Sequence, residues 1–214
     1  MKDRRVTRGP FLSLDGLDGT GKSTQCRLLA KWLREQGYTV SECADPGGTP
    51  VGDVLRDLLL GRRHMMALPC EMLLFMASRA QLTADVIRPA LAAGHAVVAD
   101  RFLLANVVYQ GYAGGLEPDQ LWEIGNVATN GLLPDLTLVL DLPLEKAVSR
   151  RARPDDRIES RGDEYQMRVR EGFLAEARRS PETIRVIDAD QSPEAVHQQI
   201  CVEVSRVLAA RQGT

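Results

Sequence analysis

Residues 16–23 read Gly16-Leu17-Asp18-Gly19-Thr20-Gly21-Lys22-Ser23, the pattern GxxxxGK[ST]. Each residue type in it has a use in holding a polyphosphate. Glycines reach backbone conformations that turn successive N–H groups inward, forming an anion-binding nest. A helix starting behind the loop adds the positive end of its dipole. Lys22 is a point charge for β- and γ-phosphates, and Ser23 is a hydroxyl ligand for Mg2+, which needs few protein oxygens beside phosphate. Such a pattern arises by chance in roughly one chain in a hundred of this length. Here it follows a short apolar run and opens a helix-like stretch, the context that marks binding of a nucleoside triphosphate.

Other groups suit a second phosphate or a base. Asp100 and Arg101 follow the apolar run 96–99. The carboxylate suits Mg2+, held through water, and the guanidinium suits a phosphate, which it can grip bidentately; a simple Asp–Arg ion pair is the plainer reading. Phe75 and Arg79 stand four apart, on one helix face, where a ring stacks on a base and a guanidinium reads its carbonyl edge; by itself an aromatic at helical spacing is more often core. Arg150, Arg151, Arg153, Arg157 and Arg161 crowd one stretch broken by Pro154. A solvated basic face is one account of them; a mobile lid, broken at the proline, is the better one.

These groups need a scaffold. Short apolar runs at 11–14, 39–43, 96–99, 136–140 and 184–187 alternate with helix-like stretches at 24–36, 71–93, 118–130, 144–153, 163–179 and 193–210. The alternation predicts a three-layer α/β fold, a parallel five-stranded sheet flanked by helices, with a short arginine-rich lid at about 149–161. Runs without polar alternation agree, because parallel strands are buried on both faces. Each run ends at or near an aspartate: Asp15, Asp45, Asp100, Asp141 and Asp188. Ligands of open α/β sheets bind beyond the carboxyl ends of the strands, so Asp100 belongs to the site, while Asp141 and Asp188 read as turn or capping residues.

Length and charge narrow the class. At 214 residues the chain reads as one domain, with residues 1–9 a basic tail. A balance of 27 Lys+Arg against 29 Asp+Glu argues against a nucleic-acid binder. No apolar run approaches a membrane span. Cys26, Cys43, Cys70 and Cys201 have no metal-site spacing and read as reduced thiols of a cytoplasmic protein, and His64, His95 and His197 show no nucleophile or metal pattern.

The ordered set of segments resembles the thymidylate kinase family from Phe11 to about Val207. The carriers are the loop GLDGTGKST, Pro46-Gly47-Gly48-Thr49, Phe75 with Arg79, Asp100-Arg101-Phe102 with Asn106 and Tyr109-Gln110-Gly111, Pro134-Asp135-Leu136-Thr137, Asp156-Arg157-Ile158-Glu159, and Asp188-Ala189-Asp190-Gln191. The resemblance implies transfer of the ATP γ-phosphoryl to dTMP, with Mg2+, in a homodimer. It implies that Phe75 stacks on thymine, Arg79 bonds O4, Asn106 reads the N3 side, Tyr109 packs on the sugar, Arg101 holds the dTMP phosphate and Asp18 meets the 3′-hydroxyl region. Ser23 and Asp100 are the implied metal contacts, Lys22 and Asp18 catalytic groups, and 188–192 the neighbours of adenine. Some family members carry a catalytic arginine in the loop; Gly19 stands there in this chain. The duty therefore falls to the lid, with Arg153 or Arg157 expected to supply it and Arg161 expected to matter little. Ala44 stands where an arginine is usual, leaving Arg56 to compensate. A kinase for another pyrimidine nucleotide or a nucleoside, and a non-catalytic nucleotide switch, are the competing readings.

Overall fold

The computed structural model describes residues 8–61, 64–151 and 156–212. Five strands form one parallel sheet: β1 (Phe11–Gly16), β2 (Val40–Ala44), β3 (Ala96–Asp100), β4 (Leu136–Asp141) and β5 (Ile184–Asp188), in the order β2-β3-β1-β4-β5. All five lie within a residue or two of the apolar runs. β1 is central and buried along its whole length. The chain runs from β1 outward to β2, returns through β3 and crosses to β4 on the other side, so a topological switch point flanks β1.

Helix α1 (Lys22–Glu35) and helix α9 (Pro193–Gln212) cover one face. Their Leu29, Leu33, Ile200 and Val204 are fully buried with Leu12 and Leu14. The other face is covered by α4 (Arg88–Ala92), α5 (Leu103–Asn106) and α8 (Asp163–Arg179). There α3 (Leu68–Leu82) and α6 (Pro118–Ala128) add Met72, Met76, Leu82 and Leu121 to a second core around Phe11, Val97 and Phe102. Phe11 and Phe102 meet edge to face at 5.0 Å.

Several boundaries differ from the sequence reading. The stretch expected as one helix over 71–93 is α3, a wider π-helical turn over Thr83–Ile87, and α4. Helix α7 (Leu144–Ser149) ends before Arg150, not at Arg153. Two helices were not anticipated. One is α2 (Pro50–Leu60), started by Thr49, whose hydroxyl accepts the Gly52 N–H at 2.9 Å, with Pro50 at the first helical position. The other is α5, continued by a π-helical turn over Val107–Tyr112. It escapes periodicity because residues 103–111 are buried on every side. Asp188 is a turn residue as expected, accepting the Asp190 N–H at 2.9 Å. Asp141 instead forms a two-pronged pair with Arg170 of α8, at 2.7 and 2.8 Å.

Among the described residues no helix is long and apolar enough to cross a membrane. The four cysteines are free thiols, and burial pushes Cys43 up to about 12 and Cys201 to about 11, which keeps those two protonated at neutral pH.

Candidate active site

Register places the first chemistry. Leu14 pairs with Asp100, where β3 ends, and β1 runs two residues further to Gly16, so the phosphate loop emerges beside Asp100. Gly16, Gly19 and Gly21 take positive φ of 131°, 92° and 93°, which side-chain-bearing residues rarely adopt. Position 19 admits nothing larger: an added Cβ would stand 2.0 Å from the Ala147 carbonyl of α7. The glycine is therefore dictated by the packing of α7, and an arginine is sterically excluded there. Leu17 is core, and the Thr20 hydroxyl donates to the Leu17 carbonyl at 2.8 Å, folding the loop on itself. Lys22 Nζ donates to the same carbonyl at 2.7 Å and lies 3.4 Å from Asp18 Oδ1. Burial and the neighbouring Arg101 pull its pKa down.

A cleft of about 450 Å³ opens beyond the strand ends. Asp18, Gly19, Gly21, Lys22, Ser23, Asp100, Phe75, Arg79, Arg101, Asn106 and Tyr109 line it, so the structure brings most of the expected residues together. Ser23 Oγ donates to Asp100 Oδ2 at 2.6 Å. That hydroxyl and carboxylate fit Mg2+, which takes most of its ligands from phosphate and water. Among the described residues no group of three or more His, Cys, Asp or Glu could hold a metal ion.

Arg101 occupies the middle. Its φ of 71° is left-handed and costs about 1–2 kcal/mol for a residue with a side chain. Three bonds hold it: its N–H to the Leu14 carbonyl at 2.9 Å, Nη1 to the Gly16 carbonyl at 2.9 Å and Nη2 to Asp18 Oδ1 at 2.8 Å. Its guanidinium also stands 5.1 Å from the Tyr109 ring and donates to the Tyr109 hydroxyl at 3.2 Å. Burial works to raise Asp18, but Arg101 and Lys22 outweigh it and hold the carboxyl well below the carboxylate range. Asp15, one strand end away, has the opposite fate. Neither of its oxygens meets a hydrogen-bond partner among the described residues, and burial pushes it up to about 7 against the pull of Arg101 and Lys22.

The wall across the cleft is a buried polar chain. Arg79 Nε pairs with Asp45 at 2.6 Å, and Nη1 donates to Asn106 Oδ1 at 2.9 Å. Asn106 Nδ2 donates to Gln110 Oε1 at 2.8 Å, and Gln110 Nε2 donates to Glu71 Oε1 at 2.8 Å. Half-buried Phe75 flanks this wall in the cleft. Asp45, Gln110 and Glu71 were assigned no role from sequence. Glu71 carried a signal, since it lies four and eight residues before Phe75 and Arg79 on one helical face.

The lid arginines need correction. Arg153 lies outside the described residues. Arg157, expected to reach the transferring phosphoryl group, is not among the cleft-lining residues: Nη1 pairs with Glu71 at 2.5 Å and Nε donates to the Leu59 carbonyl at 2.8 Å. Its partner carboxylate is fully buried, which explains why the guanidinium turns inward. Arg161 is no free surface charge either, pairing with the same Glu71 oxygen at 2.5 Å and lying 5.0 Å from the Tyr165 ring. Arg150 and Arg151 do line the cleft, Arg150 donating to the Ala189 carbonyl at 3.1 Å and Arg151 Nε to the Asp18 carbonyl at 3.4 Å. Arg56 lines it too, beside Ala44.

The sheet, the phosphate loop and the shared cleft define a P-loop phosphotransferase with a second, polar compartment beside the nucleotide loop. The thymidylate kinase family model matches residues 14–200. A thymidylate kinase of Caldanaerobacter subterraneus subsp. tengcongensis is 41% identical, over 94% of this chain and 97% of its own length. One of Symbiobacterium thermophilum is 44% identical, over 94% and 95%. The crystal structure of thymidylate kinase from Ehrlichia chaffeensis superposes with a TM-score of 0.76 at 28% identity, covering 92% of this chain and 99% of that one. The chain belongs to the thymidylate kinase family.

Proposed function

We propose that the protein transfers the γ-phosphoryl group of ATP to dTMP, giving ADP and dTDP. The observation that carries this reading is the single cleft in which the phosphate loop and the Arg79–Asn106 wall face each other across Arg101. Lys22 and Arg101, the cations for the γ-phosphate and for the acceptor phosphate, stand side by side, sharing Asp18 Oδ1 at 3.4 and 2.8 Å.

The nucleophile is an oxygen of the dTMP phosphate, already anionic at neutral pH, so no general base is needed. The protein's work is alignment and charge stabilisation. Phe75 stacks on thymine, Arg79 donates to its O4 edge and Asn106 accepts on the N3 side. Tyr109 packs on the deoxyribose and Asp18 meets the 3′-hydroxyl region. Arg101, with Arg56 in place of the arginine replaced by Ala44, holds the acceptor phosphate. Lys22 neutralises charge on the moving phosphoryl group. Ser23 and Asp100 would hold Mg2+, which would neutralise charge on the ATP phosphates. The remaining positive charge comes from Arg151, set against the phosphate loop, and Arg153. Arg157 holds the lid's returning limb. Closure over this cleft excludes water, which limits wasteful hydrolysis of ATP.

An acceptor series of dTMP, dUMP, dCMP, UMP, AMP and thymidine tests the reading by steady-state ADP formation. dTMP is expected to have the highest kcat/KM; thymidine outrunning dTMP would overturn it, and tight ATP binding with no transfer would make the protein a switch. Arg151→Ala is expected to lower kcat about 100-fold, with little change in dTMP KM. We also propose a cytoplasmic homodimer, supported by exposed Val51 and Val54 on α2, Leu73 on α3 and Val127 on α6, three helices that pack side by side. Sedimentation at the monomer mass of 23.6 kDa would refute the dimer.

A further inference from the structure

The carboxylate of Glu71 is fully buried, meets three side-chain donors and touches none of the groups assigned to the phosphates, the base or the sugar. Its Oε1 accepts from Gln110, and its Oε2 takes both Arg157 and Arg161. A buried charge must be paired and hydrogen-bonded to be tolerated, and here three donors from two distant segments do it. Arg157 and Arg161 frame the limb on which the chain returns from the lid to α8.

The other oxygen leads to the base-side wall, and its effect follows from donor and acceptor types alone. An ionised carboxylate only accepts and a guanidinium only donates. The chain Glu71–Gln110–Asn106–Arg79 therefore has both ends fixed. Gln110 must give its NH2 to Glu71 and its oxygen to Asn106; Asn106 must give its NH2 to Gln110 and its oxygen to Arg79. Neither amide can flip without setting donor against donor or acceptor against acceptor. Both amides line the cleft, and each has hydrogen-bonding capacity left over. Thymine presents an acceptor at O4 and a donor at N3, whereas cytosine presents the reverse, so amide polarity in this wall discriminates between them.

We propose that Glu71 is a positioning residue whose one carboxylate holds the lid's returning limb and sets the polarity of the acceptor-pocket amides, so that lid placement and base choice are coupled. This deepens the reading that the cleft takes dTMP, and its specificity arm rests on that reading. Glu71→Gln keeps the shape and removes the charge. A glutamine carries no charge and has one acceptor oxygen: turned to Gln110, it sets its NH2 against Arg157 and Arg161; turned to the arginines, it sets NH2 against NH2 at Gln110 and strains the amide chain.

Three measurements on the full chain test it. Trypsin cleavage after Arg157 and Arg161, without nucleotide, is expected to accelerate about tenfold in Glu71→Gln relative to cleavage within α1. Loss of global stability would speed both alike. The ratio of dTMP to dCMP kcat/KM is expected to fall about tenfold, a change that a smaller folded fraction cannot produce. The ratio of free phosphate to dTDP formed from ATP is expected to rise about tenfold, and adding Arg157→Gln to Glu71→Gln should not raise it further, because both act through one contact. If Glu71→Gln does not fold, Arg161→Gln replaces it; it leaves Arg157 alone on Glu71 and is expected to raise the phosphate-to-dTDP ratio about threefold. Wild-type ratios in the folded variant, or unchanged cleavage after Arg157, overturn the proposal. A wild-type protein that leaves dTMP untouched would sink the substrate reading instead, and the trypsin result would still decide whether Glu71 holds the lid.

Discussion

The phosphate loop and the polar chain beneath the acceptor compartment both present charge to one cleft, but they are assembled in opposite ways. In the loop, residues 16–23 make their own bonds: Thr20 and Lys22 both donate to Leu17, and Lys22 reaches Asp18. The polar chain joins Asp45, Arg79, Asn106, Gln110 and Glu71, brought from four elements, and continues to Arg157 in the lid limb. Local spacing suffices for the first. The second exists only once β2, α3, α5 and the lid are packed together. A loop made from main-chain N–H groups binds any polyphosphate, whereas a wall of side chains with matched polarity can choose a base.

Breaking the loop should have the largest effect. Lys22→Ala is expected to lower kcat about 1,000-fold, since it removes a charge aimed at the moving group from a site shielded from water. Single-turnover phosphoryl transfer measures it, and a loss below tenfold would place the work elsewhere.

Asp15 tests the boundary between the two regions. Its folded pKa of about 7 lies above its ordinary value of 3.8. Below pH 3.8 both states are neutral and no cost arises. Between pH 3.8 and about 7 the unfolded chain ionises Asp15 while the folded protein, where its oxygens meet no partner among the described residues, keeps it protonated, so stability is lost across that window, by about 4 kcal/mol at 1.36 kcal/mol per pKa unit, and levels off above it. Asp15→Asn does not titrate. Its Tm advantage over the wild type should be about two to three times larger at pH 8 than at pH 5. An equal difference at both values would show that Asp15 is ionised throughout.

Arg101 belongs to both regions, through Asp18 and Tyr109. Arg101→Ala is expected to lower kcat/KM for dTMP about 100-fold, about 2.7 kcal/mol, chiefly through KM, because it grips the acceptor in ground and transition states alike. A pure kcat effect would move it from the acceptor to the transferred group. Phe75→Leu touches the wall alone. It should raise dTMP KM about tenfold at unchanged ATP KM, as base stacking is worth about 1–3 kcal/mol. A matching rise in ATP KM would mean that the two compartments are not separable.

Much of this was legible in the residues. The five apolar runs appear as five parallel strands because each is short and ends at a turn signal; β1, β3 and β4 are buried on both faces, while the edge strands β2 and β5 are partly exposed. The loop was legible because glycine at positive φ, a lysine and a hydroxyl are required at adjacent positions. Helix α5 was not, since burial on all sides erases periodicity. The roles of Arg157 and Arg161 were not either: an arginine in an exposed-looking run carries no mark of whether it points to solvent, to phosphate or, as here, to a buried glutamate about 90 positions earlier.

The sequence by itself determined the strand count and the nucleotide loop, because local spacing and backbone freedom decide those. Only the tertiary structure decided that Gly19 must lack a side chain, that Asp15 is stranded and Asp18 doubly paired, and that one carboxylate joins lid and base pocket. Each of these depends on which groups burial places together, and the energy of a buried polar group is set by its neighbours in space.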